Sequence, residues 1–290
     1  MRKIGNQDAP FYYIMMFKDG DDPSNLVPLA VALLSDHSTG GISTFLLTVR
    51  KILVMVKRKS QMPSFFVCDF SMAIINALLM IFSHENLDSH LERCWSMLHK
   101  KYSLAELRSS FIIRLCCAHV MRAFVRSLHE MKLKKTERHC CTKLFAVLLN
   151  TDTLENAFDL FGKMLTIYGD SNASNTDQLL LPIVDVTNVL QFDLEEYLKD
   201  ELEAAEECVT PSIEDTFASS TATIHRSPFA REVRNRFPLV GSILKRKNDK
   251  TNNKSNTCNP HYHLDIILAL YRWFAYLPLW TCIMSDYYER

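Results

Sequence analysis

Glycine is scarce in this chain, with seven residues among 290. With so few turn formers and twelve methionines, the composition points away from an all-β fold and toward a helix-rich one. No glycine-rich phosphate loop, nucleophile elbow or kinase-type motif is present, so the corresponding nucleotide and serine-hydrolase chemistries have no sequence support. Net charge is lacking too, since 33 Lys and Arg balance 33 Asp and Glu. A neutral average argues against a nucleic-acid partner unless the charge is unevenly spread. The nine cysteines follow no even, repeating framework. Met1-Arg2-Lys3 leads into polar residues rather than an apolar signal core, which predicts reduced thiols in the cytoplasm or nucleus. The longest apolar tract, Ile266 to Met284, is broken by Arg272 and Pro278, so no membrane span is expected. No internal repeat occurs.

What is present is ample apolar content and a clear order. At 48% hydrophobic, the chain can form one large domain or two small ones. Phe11 to Phe17 reads as a strand, Lys18 to Pro23 as a tight turn, and Leu26 to Leu34 as an antiparallel partner. Ile42 to Val56 has helical spacing. Phe65 to Cys68 is a short apolar strand ending in Asp69, with a helix directly after it (Ala73, Ile74, Ala77, Leu78, Ile81, Phe82). A carboxylate at the C-terminal end of a buried strand sits where open α/β sheets place their chemistry. A second apolar strand, Phe111 to Cys116, runs into Cys117-Ala118-His119 and another helix. The predicted order is strand, strand, helix, strand, helix, helix, strand, helix. From His139 helical patterns dominate: Leu144 to Leu149, Leu154 to Tyr168, Leu190 to Leu202 and Leu264 to Tyr276. Flexible linkers are expected at 170–177, 215–223 and 245–259.

Charge is concentrated, not absent. Between Lys100 and Lys143 eleven Lys and Arg face three Glu, and the acidic stretch Asp193 to Glu207 restores part of the balance. Arg122, Arg126, Lys132, Lys134 and Lys135 follow the second strand on or after one helix. Such a block suits salt-dependent phosphate binding, and equally suits a solvated face pairing with Glu130 and Glu137. Cys116-x-x-His119 is half of a tetrahedral zinc site that His139, Cys140 or Cys141 could complete, or else a packed strand end.

The strand-strand-helix-strand order around Asp69 matches an RNase H-like core whose first strand is missing. The chain resembles Mutator-like (MULE-type) DDE transposases of animal genomes. The resemblance rests on Val27-Pro28-Leu29-Ala30, Ser35-Asp36-His37-Ser38, Pro63 to Ser71, Leu115 to His119, Asn259-Pro260-His261-Tyr262 and Pro278-Leu279-Trp280. It implies an α/β fold: a partial core over 11–138, an α-helical insertion over 139–276, and a return toward the catalytic core at 277–290. It also implies two Mg²⁺ or Mn²⁺ ions held by three acids, with Asp69 in the second position. The first Asp would precede Phe11 and the Glu would follow Pro-Leu-Trp. By that expectation the core is truncated at both ends and inactive, keeping at most DNA or protein binding in the nucleus. An active nuclease and a helical interaction scaffold are the alternatives.

Other acids were weighed as substitutes. Asp36 would lie three strand places from Asp69, roughly 14 Å, too far to share metals about 3.5–4 Å apart, and suits helix capping. Glu155 falls on an inserted helix and Glu289 at the chain end. Strands left without their shared neighbour would expose edges that call for a partner strand or a second copy.

Overall fold

The computed structural model describes residues 10–18, 26–56, 65–99, 111–131, 133–174, 176, 178, 221–248 and 258–287. The predicted Leu190 to Leu202 helix, the acidic stretch, residues 215–220, Lys132 and Glu289 lie outside them. The fold is mixed α/β and mostly helical, with small sheets.

Strand β1 (Phe11–Lys18) pairs antiparallel with β2 (Leu26–Leu34). The register slips between Met15 and Met16, which oppose Ala30 and Pro28, so Leu29 is the bulged residue. Proline lacks the N–H a regular ladder needs, and a bulge is where a strand tolerates it. The chain then enters helix α1 (Thr39–Val56), whose first turn Ser38 caps by accepting the Gly41 amide. Strand β3 (Phe65–Cys68) pairs with β4 (Ile112–Leu115) in a separate, parallel sheet. Parallel pairing requires a crossover, supplied here by α2 (Met72–Leu78), a π-turn (Leu79–Ser83) and α3 (Leu87–Leu98). The π-turn interrupts the helix predicted to continue through Phe82. Arg50 of α1 donates to its Ile81 carbonyl at 2.6 Å, and His84 ends it at φ 56° in the left-handed region.

The remaining elements are helical. Helix α4 (Cys117–Glu130) follows β4, then α5 (Lys135–Leu149) and α6 (Leu154–Gly169). Later come α7 (Thr221–Arg226), α8 (Pro228–Arg236), α9 (Pro238–Asn248), α10 (Leu264–Phe274), α11 (Leu277–Trp280) and a 3₁₀ turn (Cys282–Tyr287). Thr153 caps α6, and Pro228 opens α8, where its missing N–H is harmless. One apolar core runs from Ile42 to Met284. At its centre Trp273 of α10 meets Phe70, Phe124, Phe145 and Trp280 at centroid distances of 5.2–6.5 Å. Two polar ties stitch the late helices in. Buried Asn259 donates to the Ile167 and Asp170 carbonyls, both at 2.7 Å, and Ser227 donates to the Ala275 carbonyl at 2.6 Å. Part of the 170–177 stretch is thus engaged with Asn259. Arg226, Arg231 and Arg236 pair with Asp88, Glu92 and Glu155, tying α7 and α8 to α3 and α6. No helix among the described residues is long and apolar enough to cross a membrane.

Candidate nucleic-acid interface at the strand ends

Asp69 stands just past the end of β3, and its side chain is 64% exposed. The Cys116 amide donates to the Cys68 carbonyl at 2.8 Å, so both chains leave the parallel pair side by side. Cys116 then caps α4 and places His119 in the first turn of that helix. The result is a carboxylate facing an imidazole, with His119 Nδ1 3.3 Å from Asp69 Oδ1. That distance suits an ion pair, but the alignment is poor: the buried Nδ1 has no hydrogen bond. The nearness of His119 to Asp69 is not legible in the Cys116-x-x-His119 spacing.

A second polar group reaches the same strand end. His37 Nε2 lies 2.7 Å from Ser71 Oγ, while Nδ1 bonds the Tyr13 hydroxyl. Ser71 also caps α2 by accepting the Ile74 amide. His37 therefore links β1 to the turn after β3 across two sheets that share no ladder. Burial depresses its pKa, partly offset by Asp36 and Asp69, which favours the neutral ring near pH 7. A short turn after β2 carries His37 to Ser71, two residues past Asp69. Asp36 itself shapes that turn by accepting the Ser38 amide at 2.9 Å. Those hydrogen bonds hold its carboxyl below the usual range.

The basic residues extend from this point. His119, Arg122, Arg126 and His129 follow one another on α4 at intervals of three, four and three, which is one helix face. All are half-buried or exposed. Arg138 of α5 meets His129 at 2.5 Å, and exposed Lys134 and Lys135 stand at the N-cap and first position of α5. Glu137 turns inward to accept the Lys134 amide at 3.2 Å. Along α4 the stripe from His119 to His129 spans roughly 15 Å at 1.5 Å per helical residue, and Lys134 and Lys135 lie beyond its end. The sequence had marked Arg122, Arg126, Lys134 and Lys135; His129 and Arg138 become visible only when α4 and α5 pack together.

Other candidates are drawn elsewhere. Cys140 and Cys141 bond the buried Tyr168 hydroxyl, and burial pushes the Cys141 thiol up to about 12. Glu155 is held by Arg236 through two hydrogen bonds of 2.7 and 2.9 Å, beside a shallow groove on α6. Among the described residues no three His, Cys, Asp or Glu side chains are grouped to hold a metal. Asp69 and His119 offer one carboxylate and one imidazole. A hard cation such as Mg²⁺ takes mainly oxygen ligands, so this pair alone does not fit the ions that the resemblance implies. No family model matches the chain, and neither the curated proteins nor the solved structures contain a match.

Proposed function

We propose that this chain is a transposase-derived DNA-binding protein, built on a partial RNase H-like core, that holds DNA along α4 without cutting it. The stripe from His119 to Lys135 carries the reading. Arg122 and Arg126 one turn apart on α4, with Lys134, Lys135 and Arg138 beyond its end, suit a succession of backbone phosphates, and the stripe begins where an RNase H-like core presents its carboxylate. The division into two sheets agrees with it. Among the described residues β1 pairs with β2 and β3 with β4, and in an RNase H-like core a further strand lies between β1 and β3. Among the described residues the polar partner beside Asp69 is His119, a group that can also meet a phosphate. Nuclear residence follows from the same reading.

The test is duplex binding by fluorescence anisotropy over a salt series. Each neutralised phosphate adds about 0.9 to the slope of log affinity against log salt, so Arg122→Ala with Arg126→Ala should lower it by about 2. An unchanged slope would favour a helical interaction scaffold. Mn²⁺-dependent nicking abolished by Asp69→Asn would revive the nuclease reading.

A further inference from the structure

The β1–β2 hairpin turns one face inward and leaves the other bare. Tyr13, Met15 and Leu34 pack against the core. The opposite face carries Tyr12, Ile14, Met16, Leu29, Val31 and Leu33, from 41% to 67% exposed. Tyr12 lies beside Leu33, and Ile14 beside Val31, so the apolar groups form one continuous surface. We propose that this face pairs with the same face of a second copy of the chain.

Three observations choose that occupant. The first is area. With these exposures, the six side chains present on the order of 600 Å² of apolar surface, and Leu26 near the hairpin tip raises it to roughly 700 Å². A standard interface takes about 800 Å² from each partner, and a monomer rarely leaves a patch this large bare. The second is charge. Residues 11–17 and 26–34 contain no Lys, Arg, Asp or Glu, so two copies can meet without like charges opposing each other. A face that rests on anionic lipid is rich in basic residues, and β1 and β2 together carry one, Lys18 at the hairpin tip. The third is strand number. A two-stranded sheet is marginal alone, and sheet-on-sheet packing about 10 Å apart supplies the layer it lacks. A two-fold axis near Ile14 and Val31 would bury the middle of the patch and close the assembly at two copies.

The proposal is independent of the DNA reading, because its readout is mass. Light scattering of the full chain over micromolar concentrations should give twice 33.5 kDa, reversing on dilution. Ile14→Lys should weaken pairing on the order of tenfold or more. Mixing Ile14→Lys with Ile14→Glu should restore a dimer. If Ile14→Lys fails to fold, hydrogen exchange of the wild type decides: amides of residues 12–16 and 29–33 should gain protection as concentration rises. A wild type that stays monomeric overturns the proposal, including one that instead binds anionic vesicles. So does open-ended polymerisation, or a dimer that Ile14→Lys leaves intact with unchanged exchange.

Discussion

Replacing Glu85 by alanine should cost this protein more stability than any change at its exposed acids. Glu85 follows the π-turn and faces α3. Its Oε1 accepts from His90 Nδ1 at 2.8 Å and from Arg93 Nη2 at 2.5 Å, and its Oε2 from Arg93 Nε at 3.1 Å. Arg93 also donates to the Phe111 carbonyl at 2.5 Å, so the carboxylate anchors a clamp between α3 and the start of β4. His90 is fully buried. Removing the carboxylate strands a guanidinium and an imidazolium in a low-dielectric setting, which costs about 3–5 kcal/mol. Glu85→Gln retains hydrogen-bonding capacity but not charge and should cost about half of that. At about 2 °C per kcal/mol for a chain of this size, Glu85→Ala should melt roughly 6–10 °C lower.

The pH dependence follows from the same contacts. Burial alone would raise the Glu85 carboxyl, but hydrogen bonds from His90 and Arg93 pull it down to about 2. Its contribution is present above its ordinary 4.5 and lost as pH falls toward 2. Burial alone would lower the His90 imidazole, yet the Cys94 sulfur and the Glu85 carboxylate push it up to about 9. That contribution is full below its ordinary 6.5 and fades as pH rises through 9. Urea unfolding of wild type should therefore show this pair at full strength between 4.5 and 6.5. A Glu85→Ala protein that melts within about 1 °C of wild type at pH 6 would refute the counter-charge account.

Two smaller perturbations test other parts of the fold. Asn259→Ala removes three hydrogen bonds, including the one its Oδ1 accepts from His261 N at 2.8 Å. At about 1 kcal/mol each it should lower stability by roughly 3 kcal/mol in urea titration, with the m-value unchanged. Thiol labelling should rank the cysteines by burial. Exposed Cys258 should react first, while Cys68 and Cys141, both pushed up to about 12 by burial, should stay unlabelled until the protein unfolds. Early labelling of Cys141 would show that its packing against Tyr168 opens readily.

The sequence made the element order readable because periodicity is local. Apolar runs on either side of the Lys18–Pro23 turn marked β1 and β2, helical spacing marked α1 and α6, and the apolar run into Asp69 marked β3. It did not disclose what those elements bring together. Tyr13, His37 and Ser71 are far apart in the chain, and no spacing rule links them. Cys116-x-x-His119 reads as half a zinc site or as a packed strand end, and neither reading discloses that His119 Nδ1 lies 3.3 Å from Asp69 Oδ1. The π-turn at Leu79–Ser83 was hidden for a different reason. Its apolar residues fit helical spacing, and the feature that sets it apart is an arginine arriving from α1. The arginines of α7 and α8 carry no signal in the sequence, because their acidic partners lie on helices far away in the chain.

Trp273 has a consequence for how this chain can change over generations. Its ring is shared by Phe70 and Phe124 from the early part of the chain and by Phe145 and Trp280 from the later part. Neither stretch can drift in side-chain volume without the other absorbing the change. Recombination that exchanged residues 139–276 between diverged relatives would join mismatched halves of a single interior. Inheritance should therefore favour passing the two stretches on together.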